Sequence, residues 1–351
     1  MELKTLTEQP GEWLKGTGPE SDVIISTRIR LARNLVEFPF LTHATDHQKK
    51  MIVDKIRMAV SETGVIPEPV FLELAGLSAV QRTLLVERHL ISRELAEGEG
   101  SRAVAFGDGE RISIMINEED HLRMQVLRSG LQLRPAWETL NEIDDKLEEK
   151  LAFAFSNRLG FLTACLTNVG TGLRVSVMMH LPALVMTREI EKVFQAVTKV
   201  NLAVRGLYGE GTQASGDFYQ ISNQRTLGKS EVEIIENLEG IVPRIVEYEK
   251  MARGKLLSEN RATLEDRVWR AFGMLSSART ISSEETMHLL SSVRLGANLG
   301  LLKDTPITAV NELFILTQPA HLQITRGMEL DAAARNVTRA DFIRERLVKK
   351  G

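Results

Sequence analysis

Alternation of apolar and polar residues with period two, the pattern of a half-buried strand, recurs in this chain up to Lys229-Ser230 and is largely absent beyond it. Ser230 and Glu233 have the spacing of a capping box before a long amphipathic helix, and Ser282 and Glu285 repeat it. A chain built this way folds as a sheet domain with interleaved helices followed by a smaller all-helical part, an α+β organisation. Its 351 residues exceed one ordinary domain, so two are expected, residues 1–254 and 255–351, with the boundary near Gly254.

Within the first part, a polar leader runs to about Asp22 and the segment VIISTRIRL follows as a strand. Ile25, Thr27, Ile29 and Leu31 share one face of it, and Ser26, Arg28 and Arg30 the other. Helical spacing covers residues 46 to 62, 77 to 90 and 134 to 157. AVAFGDGERISIMIN predicts a hairpin turning at Asp108-Gly109. On its second strand Ser113, Met115, Asn117 and, with extension, Glu119 form a row expected to face a cleft or water. RVSVMMHL, NLAVRGLY and DFYQISN are three further strands.

Hydrophobic residues at 43% and charged residues at 26% fit a folded globular protein and argue against disorder. With 44 basic and 47 acidic residues the net charge is −3, so no global field draws the chain to nucleic acid or membrane, and any anion site is local. One cysteine excludes an intramolecular disulfide. MELKTLTEQPGEWLKG lacks the apolar stretch of a signal peptide, and no run reaches membrane-span length, so a cytoplasmic location is expected.

Three clusters carry chemistry. Arg28 and Arg30 place two guanidinium groups roughly 7 Å apart on one strand face, a spacing that suits neighbouring phosphates. A solvated strand face would contain the same residues. Asn117-Glu118-Glu119-Asp120-His121-Leu122-Arg123 is a dense acidic group at a strand end, readable as a strand-to-helix junction; its spacing matches neither an EF-hand nor a zinc site. In CLTNVGTGLR, Gly170 and Gly172 allow close backbone approach to a ligand, with Arg174 adjacent. There is no dinucleotide fingerprint, P-loop or protein-kinase signature, so ATP, if used, is held in another manner.

In order along the chain, STRIRLARN, NEEDHLR, CLTNVGTGLR and VRGLYGEG resemble the phosphagen (guanidino) kinase superfamily over roughly residues 20 to 250. The resemblance implies a mixed, mainly antiparallel sheet flanked by helices, with MgATP as phosphate donor and the magnesium held by nucleotide and water rather than by a protein site. It further implies that Arg28, Arg30, Arg123, Arg174 and Arg205 grip the nucleotide phosphates and that His89, in VERHLIS, lies beside the adenine. Glu119 would be the catalytic base or orienting group, Glu210 would bind the acceptor guanidinium from its other side, and Cys165 would lie against it.

Only about twenty-five residues precede Ser26, where small-molecule members of the superfamily carry a helical domain, and the extra length follows residue 254. Both features resemble the bacterial protein-arginine kinase family. That resemblance implies protein substrates with exposed arginine, an open acceptor pocket, a homodimer formed through the helical domain, and as partners a Clp ATPase and protease, an activator protein and a heat-shock repressor. It also implies a phosphoarginine-binding element at Arg335, Asn336 and Arg339, where Asn336 replaces the acid of the family pattern and removes a charge. Leu166 stands where proline is usual, and Leu207 where threonine is. Two other readings are a kinase for a free small guanidino compound and a non-catalytic phosphoarginine-binding adaptor.

Overall fold

The computed structural model describes residues 3–8, 10–206 and 214–347. Ten strands are described: β1 (Ile24–Arg33), β2 (Val70–Glu73), β3 (Ala103–Gly107), β4 (Ile112–Ile116), β5 (Leu122–Ser129), β6 (Phe155–Ser156), β7 (Gly160–Phe161), β8 (Leu173–His180), β9 (Leu202–Gly206) and β10 (Phe218–Asn223). Around them lie α1 (Asp46–Thr63), α2 (Ala79–Glu87), α3 (Arg93–Glu97), α4 (Leu133–Glu148), α5 (Pro182–Met186) and α6 (Ile190–Lys199). Then come α7 (Glu231–Glu259), α8 (Arg261–Ser277), α9 (Ser283–Asn298), α10 (Ile307–Leu316), α11 (Pro319–Arg326) and α12 (Ala332–Leu347).

Eight strands form one sheet in the order β2-β3-β4-β5-β1-β8-β10-β9, with every adjacent pair antiparallel. The fold is therefore α+β, as the alternation predicts. Thr27, Ile29, Leu31, Met124, Val126, Val175, Val177 and Ile221 are buried on one side of the sheet. Their alternation is what makes β1 one-sided: each apolar residue points into the core shared with α1, α4 and α7, which leaves Arg28 and Arg30 on the reverse.

Several expectations need correction. The leader, polar by sequence, packs onto the fold through Leu6, Trp13 and Leu14, all buried. The row on β4 faces neither cleft nor water: Ser113 and Asn117 are buried, and Met115 joins Val104, Phe106 and Leu85 in a second apolar cluster beneath α2 and α3. Asn117 has a φ of 59°, so the strand stops there and Glu119 does not continue its alternation. Helical spacing over 134 to 157 yields a helix only to Glu148.

α7 begins at the predicted capping box, with Ser230 Oγ accepting from the Glu233 amide and the Glu233 carboxylate accepting from the Ser230 amide. It runs without interruption across Gly254 to Glu259. Residues of α8, α9, α10 and α12, including Val268, Leu290, Phe314 and Ile343, belong to the same apolar cluster as the sheet.

Candidate active site

Side chains of directly opposed residues in antiparallel strands lie on one face. Arg30 on β1 is opposite Arg174 on β8 and Gln125 on β5; Arg123 on β5 is opposite Ala32; Gln220 on β10 is opposite Arg205 on β9 and Met178 on β8. Arg28, Arg30, Arg123, Arg174 and Arg205 therefore stand on one face, on β5, β1, β8 and β9 with β10 between the last two, a span of roughly 19 Å at the usual strand spacing. The backbone ladder alone sets this; no loop has to be placed.

The charges are close enough to perturb one another. Burial lowers the Arg28 pKa to about 10, and Arg174 and Arg123 add like-charge repulsion. Arg30 is pushed well below the ordinary arginine value by burial and then by Arg28, Arg123 and Arg174. Arg174 is lowered by burial and by Arg205 and Arg123. Arg28 donates to Gln220 Oε1 (2.7 Å) and Arg174 to Ser222 Oγ (3.3 Å). Both partners are neutral, and the Nε atoms of Arg30 and Arg174 are buried without a hydrogen-bond partner among the described residues. Such a face is short of negative charge, and a polyphosphate supplies it in the form that guanidinium groups bind best.

At one border lies His89, in the left-handed region with φ 58°. Burial, Arg28 and Arg30 together hold its pKa at about 3, so the ring is neutral at physiological pH. Trp13 meets it edge-on at 5.0 Å, and the His89 Nε2 is buried without a partner among the described residues.

At the other border is the acidic turn. It joins two strands of a hairpin, β4 and β5, and is not a strand-to-helix junction. Asp120 and His121 build the turn. Asp120 accepts from Asn34 Nδ2 (2.6 Å) and the Ala164 amide (2.7 Å), while His121 Nδ1 accepts from the Leu35 amide (3.0 Å) and its Nε2 lies 3.0 Å from the Pro39 carbonyl. Both are committed to the scaffold, and among the described residues no group of three or more His, Cys, Asp or Glu could hold a metal ion.

That scaffold frees the two glutamates for Arg123. Glu118 pairs directly with Arg123 and also accepts from Ser92 Oγ (2.5 Å). Glu119 stands 3.9 Å from Arg123 with its side chain 44% exposed. Burial of its inner part, Asp120 and Glu118 raise the Glu119 pKa, against lowering by Arg123 and by a hydrogen bond with Cys165. Cys165 is half-buried, with Sγ 3.0 Å from Thr167 Oγ1. The geometry thus brings Glu119 and Cys165 together at the edge of the arginine face. Glu210 and Leu207 lie outside the described residues.

The glycines of the Cys165 loop are packed closely against protein backbone. A Cβ on Gly170 would meet the Thr226 carbonyl at 2.7 Å, and one on Gly172 the Ala32 carbonyl at 2.6 Å. Thr226 Oγ1 also donates to the carbonyls of Thr167 (2.9 Å) and Val169 (2.6 Å), pinning the loop to the end of β10. A cleft of about 330 Å³ opens there, lined by Thr167, Asn168, Arg174, Arg205, Asn223 and Gln224. Leu166 is 86% exposed, so its difference from proline leaves the core untouched.

Arg335, Asn336 and Arg339 sit on α12, and Arg339 is held by neighbouring carbonyls. It donates to the carbonyls of Thr317 and Ile281 (2.9 Å each) and to Asn336 Oδ1 (2.8 Å), so the amide at 336 already holds a guanidinium of its own helix. The sequence does not single out Gln220, Ser222 or Trp13, and it gives Glu118 no role of its own within the acidic group. Gln220 and Ser222 were readable in principle, since DFYQISN places them on one face, but nothing local tells that this face joins Arg28.

Residues 51–252 match the family model described as ATP:guanido phosphotransferase, C-terminal catalytic domain, and residues 261–351 that of the Protein-arginine kinase McsB C-terminal domain. The protein-arginine kinase of Symbiobacterium thermophilum is 50% identical over 95% of this chain and 96% of its own length. That of Halothermothrix orenii is 49% identical over 99% of both. Among solved structures, a lombricine kinase aligns with a TM-score of 0.59 at 25% identity over 70% of each chain. The duplicated taurocyamine kinase of Schistosoma mansoni with bound transition-state analogue components has the same score and identity, covering 82% of this chain and 40% of that one. With both segments matched and half of all positions shared along nearly the full length, the chain belongs to the protein-arginine kinase family of ATP:guanido phosphotransferases.

Proposed function

We propose that this chain transfers the γ-phosphoryl group of ATP to a guanidinium nitrogen of arginine within a protein. The observation that carries the reading is the single sheet face on which Arg28, Arg30, Arg123, Arg174 and Arg205 repel one another, with Glu119 and Cys165 at its edge. Phosphoryl transfer through a loose transition state needs alignment and charge neutralisation more than covalent help, and fixed guanidinium groups supply both. Magnesium enters with the nucleotide.

The acceptor presents the harder problem, because an arginine side chain is cationic at any working pH. Its nitrogen lone pair becomes nucleophilic when the group is gripped by carboxylates and gives up a proton. Glu119 is the acceptor of that proton. The new N–P bond forms as the bond from the γ-phosphorus to the ADP oxygen breaks, and the electron pair leaves with ADP. Glu210 is assigned to the other side of the guanidinium by resemblance.

The wider assignments rest on family resemblance alone: marking of proteins for a Clp ATPase and protease, an activator protein, a heat-shock repressor as substrate, a homodimer, a cytoplasmic location, and phosphoarginine recognition at Arg335, Asn336 and Arg339. Incubation with MgATP and an arginine-rich protein, followed by mass spectrometry that preserves phosphoramidates, tests the central claim. Acid-labile phosphate on arginine is expected, and none with Glu119→Ala. Labelling of free arginine but not protein would favour a small-guanidino kinase. Tight phosphoarginine binding without transfer would favour an adaptor.

A further inference from the structure

The end of α2 that bears His89 is held by the C-terminal helices. Glu87 accepts hydrogen bonds from the backbone amides of Ala320 (2.8 Å) and His321 (3.0 Å) and lies 2.7 Å from His321 Nδ1. Those amides belong to the first turn of α11, where Pro319 has no N–H to give, so Glu87 satisfies the free donors of that turn from another part of the chain. Glu87 and His321 are both buried. The next residue, Arg88, forms a buried ion pair with Glu110 and lies 3.4 Å from His321 Nε2.

His89 follows directly. Its carbonyl accepts from Gln125 Nε2 (2.5 Å), on the arginine face, and its ring borders a small cavity whose walls include Trp13, Met287, Phe314 and Ile315. Three consecutive residues are thus pinned to other parts of the chain, and the left-handed backbone of His89 closes the helix end, with the Leu90 amide donating to the Leu85 carbonyl (2.9 Å) and the His89 amide to the Val86 carbonyl (2.9 Å). The start of α11 is fastened in turn by α12, through Arg339 Nε to the Thr317 carbonyl.

We propose that Glu87 is a positioning residue for the nucleotide base: by gripping the first turn of α11 it sets His89 at the border of the arginine face, and the C-terminal helices thereby become one wall of the nucleotide pocket. This rests on the reading that His89 lies beside the base. The test compares the KM for ATP, kcat, and binding of inorganic triphosphate, which meets the arginines but has no base.

Glu87→Gln should raise the KM for ATP about tenfold, the loss of one charge-assisted hydrogen bond, with kcat within about twofold and triphosphate affinity unchanged. His89→Ala should raise the KM similarly, and the double variant should go no further, since the effect runs through His89. If Glu87→Gln does not fold, His321→Asn, which keeps both backbone amides, should give a smaller rise of the same kind. An unchanged KM in Glu87→Gln beside a raised one in His89→Ala overturns the role of Glu87 alone. An unchanged KM in His89→Ala overturns the reading of His89 itself. Equal weakening of ATP and triphosphate means a general loss of structure and also overturns the proposal.

Discussion

Arg30 and Arg174 face each other directly across the β1–β8 ladder, two like charges at a position where an ordinary sheet places an opposite or neutral pair. Neither Nε finds a partner among the described residues. The repulsion is a standing cost of the ligand-free fold that a polyanion removes.

Arg174→Ala should therefore separate activity from stability. The expected outcome is a loss of kcat/KM of at least about 100-fold, as for removal of one transition-state donor. Thermal melting without nucleotide should stay level or rise. A large drop in Tm would show that the arginine holds the fold together instead of waiting for a ligand.

The pH profile carries a second expectation. Only ionised Glu119 can take a proton, and its pKa is raised, by burial first and then by Asp120 and Glu118. The acidic limb of kcat/KM should thus lie above the ordinary carboxylate range. Because Arg123 is the principal opposing influence, Arg123→Gln should move the limb to still higher pH; movement to lower pH would remove Glu119 from the role.

His89, at about 3, should not titrate in the native protein between pH 8 and 5. Its imidazole proton resonances are expected to stay flat over that range. The sign for stability follows: below the ordinary histidine value of 6.5 the unfolded chain takes up a proton that native His89 refuses. Its contribution to stability is therefore lost as pH falls from that value toward the folded pKa.

Arg33→Ala should cost about 3–5 kcal/mol in denaturant unfolding, because it leaves a buried carboxylate unpaired. The Arg33 guanidinium is bound by Asp144 (2.6 Å) and the Thr171 carbonyl (2.9 Å), and lies 3.5 Å from the centre of the Phe161 ring. Since Thr171 lies in the Cys165 loop, activity should fall along with stability. An effect below about 1 kcal/mol would class the pair with surface ion pairs.

Much of the fold was legible because its signals are local. Alternation along VIISTRIRL separates Arg28 and Arg30 from Ile29 and Leu31, and a capping box starts α7 at the predicted residue. The failures share one cause. Ser113, Met115 and Asn117 look like a wet row until α2 and α3 cover Met115, the Leu90 carbonyl takes the Ser113 hydroxyl and the carbonyls of Lys49 and Ser101 take the Asn117 amide, and nothing local tells that Gly170 and Gly172 must fit against the backbone of Thr226 and Ala32. In each case the decisive neighbour is remote in sequence.

Read alone, the chain determined which residues are one-sided, where helices begin and which motifs travel together, since side-chain direction follows backbone period within a few residues. Only the tertiary structure decided that arginines from four strands share one face, that Asp120 and His121 are spent on a turn while Glu119 stands beside Arg123, and that Glu87 reaches α11. Those outcomes depend on strand order and register, which arise from long-range pairing and core packing and have no signature in any single segment.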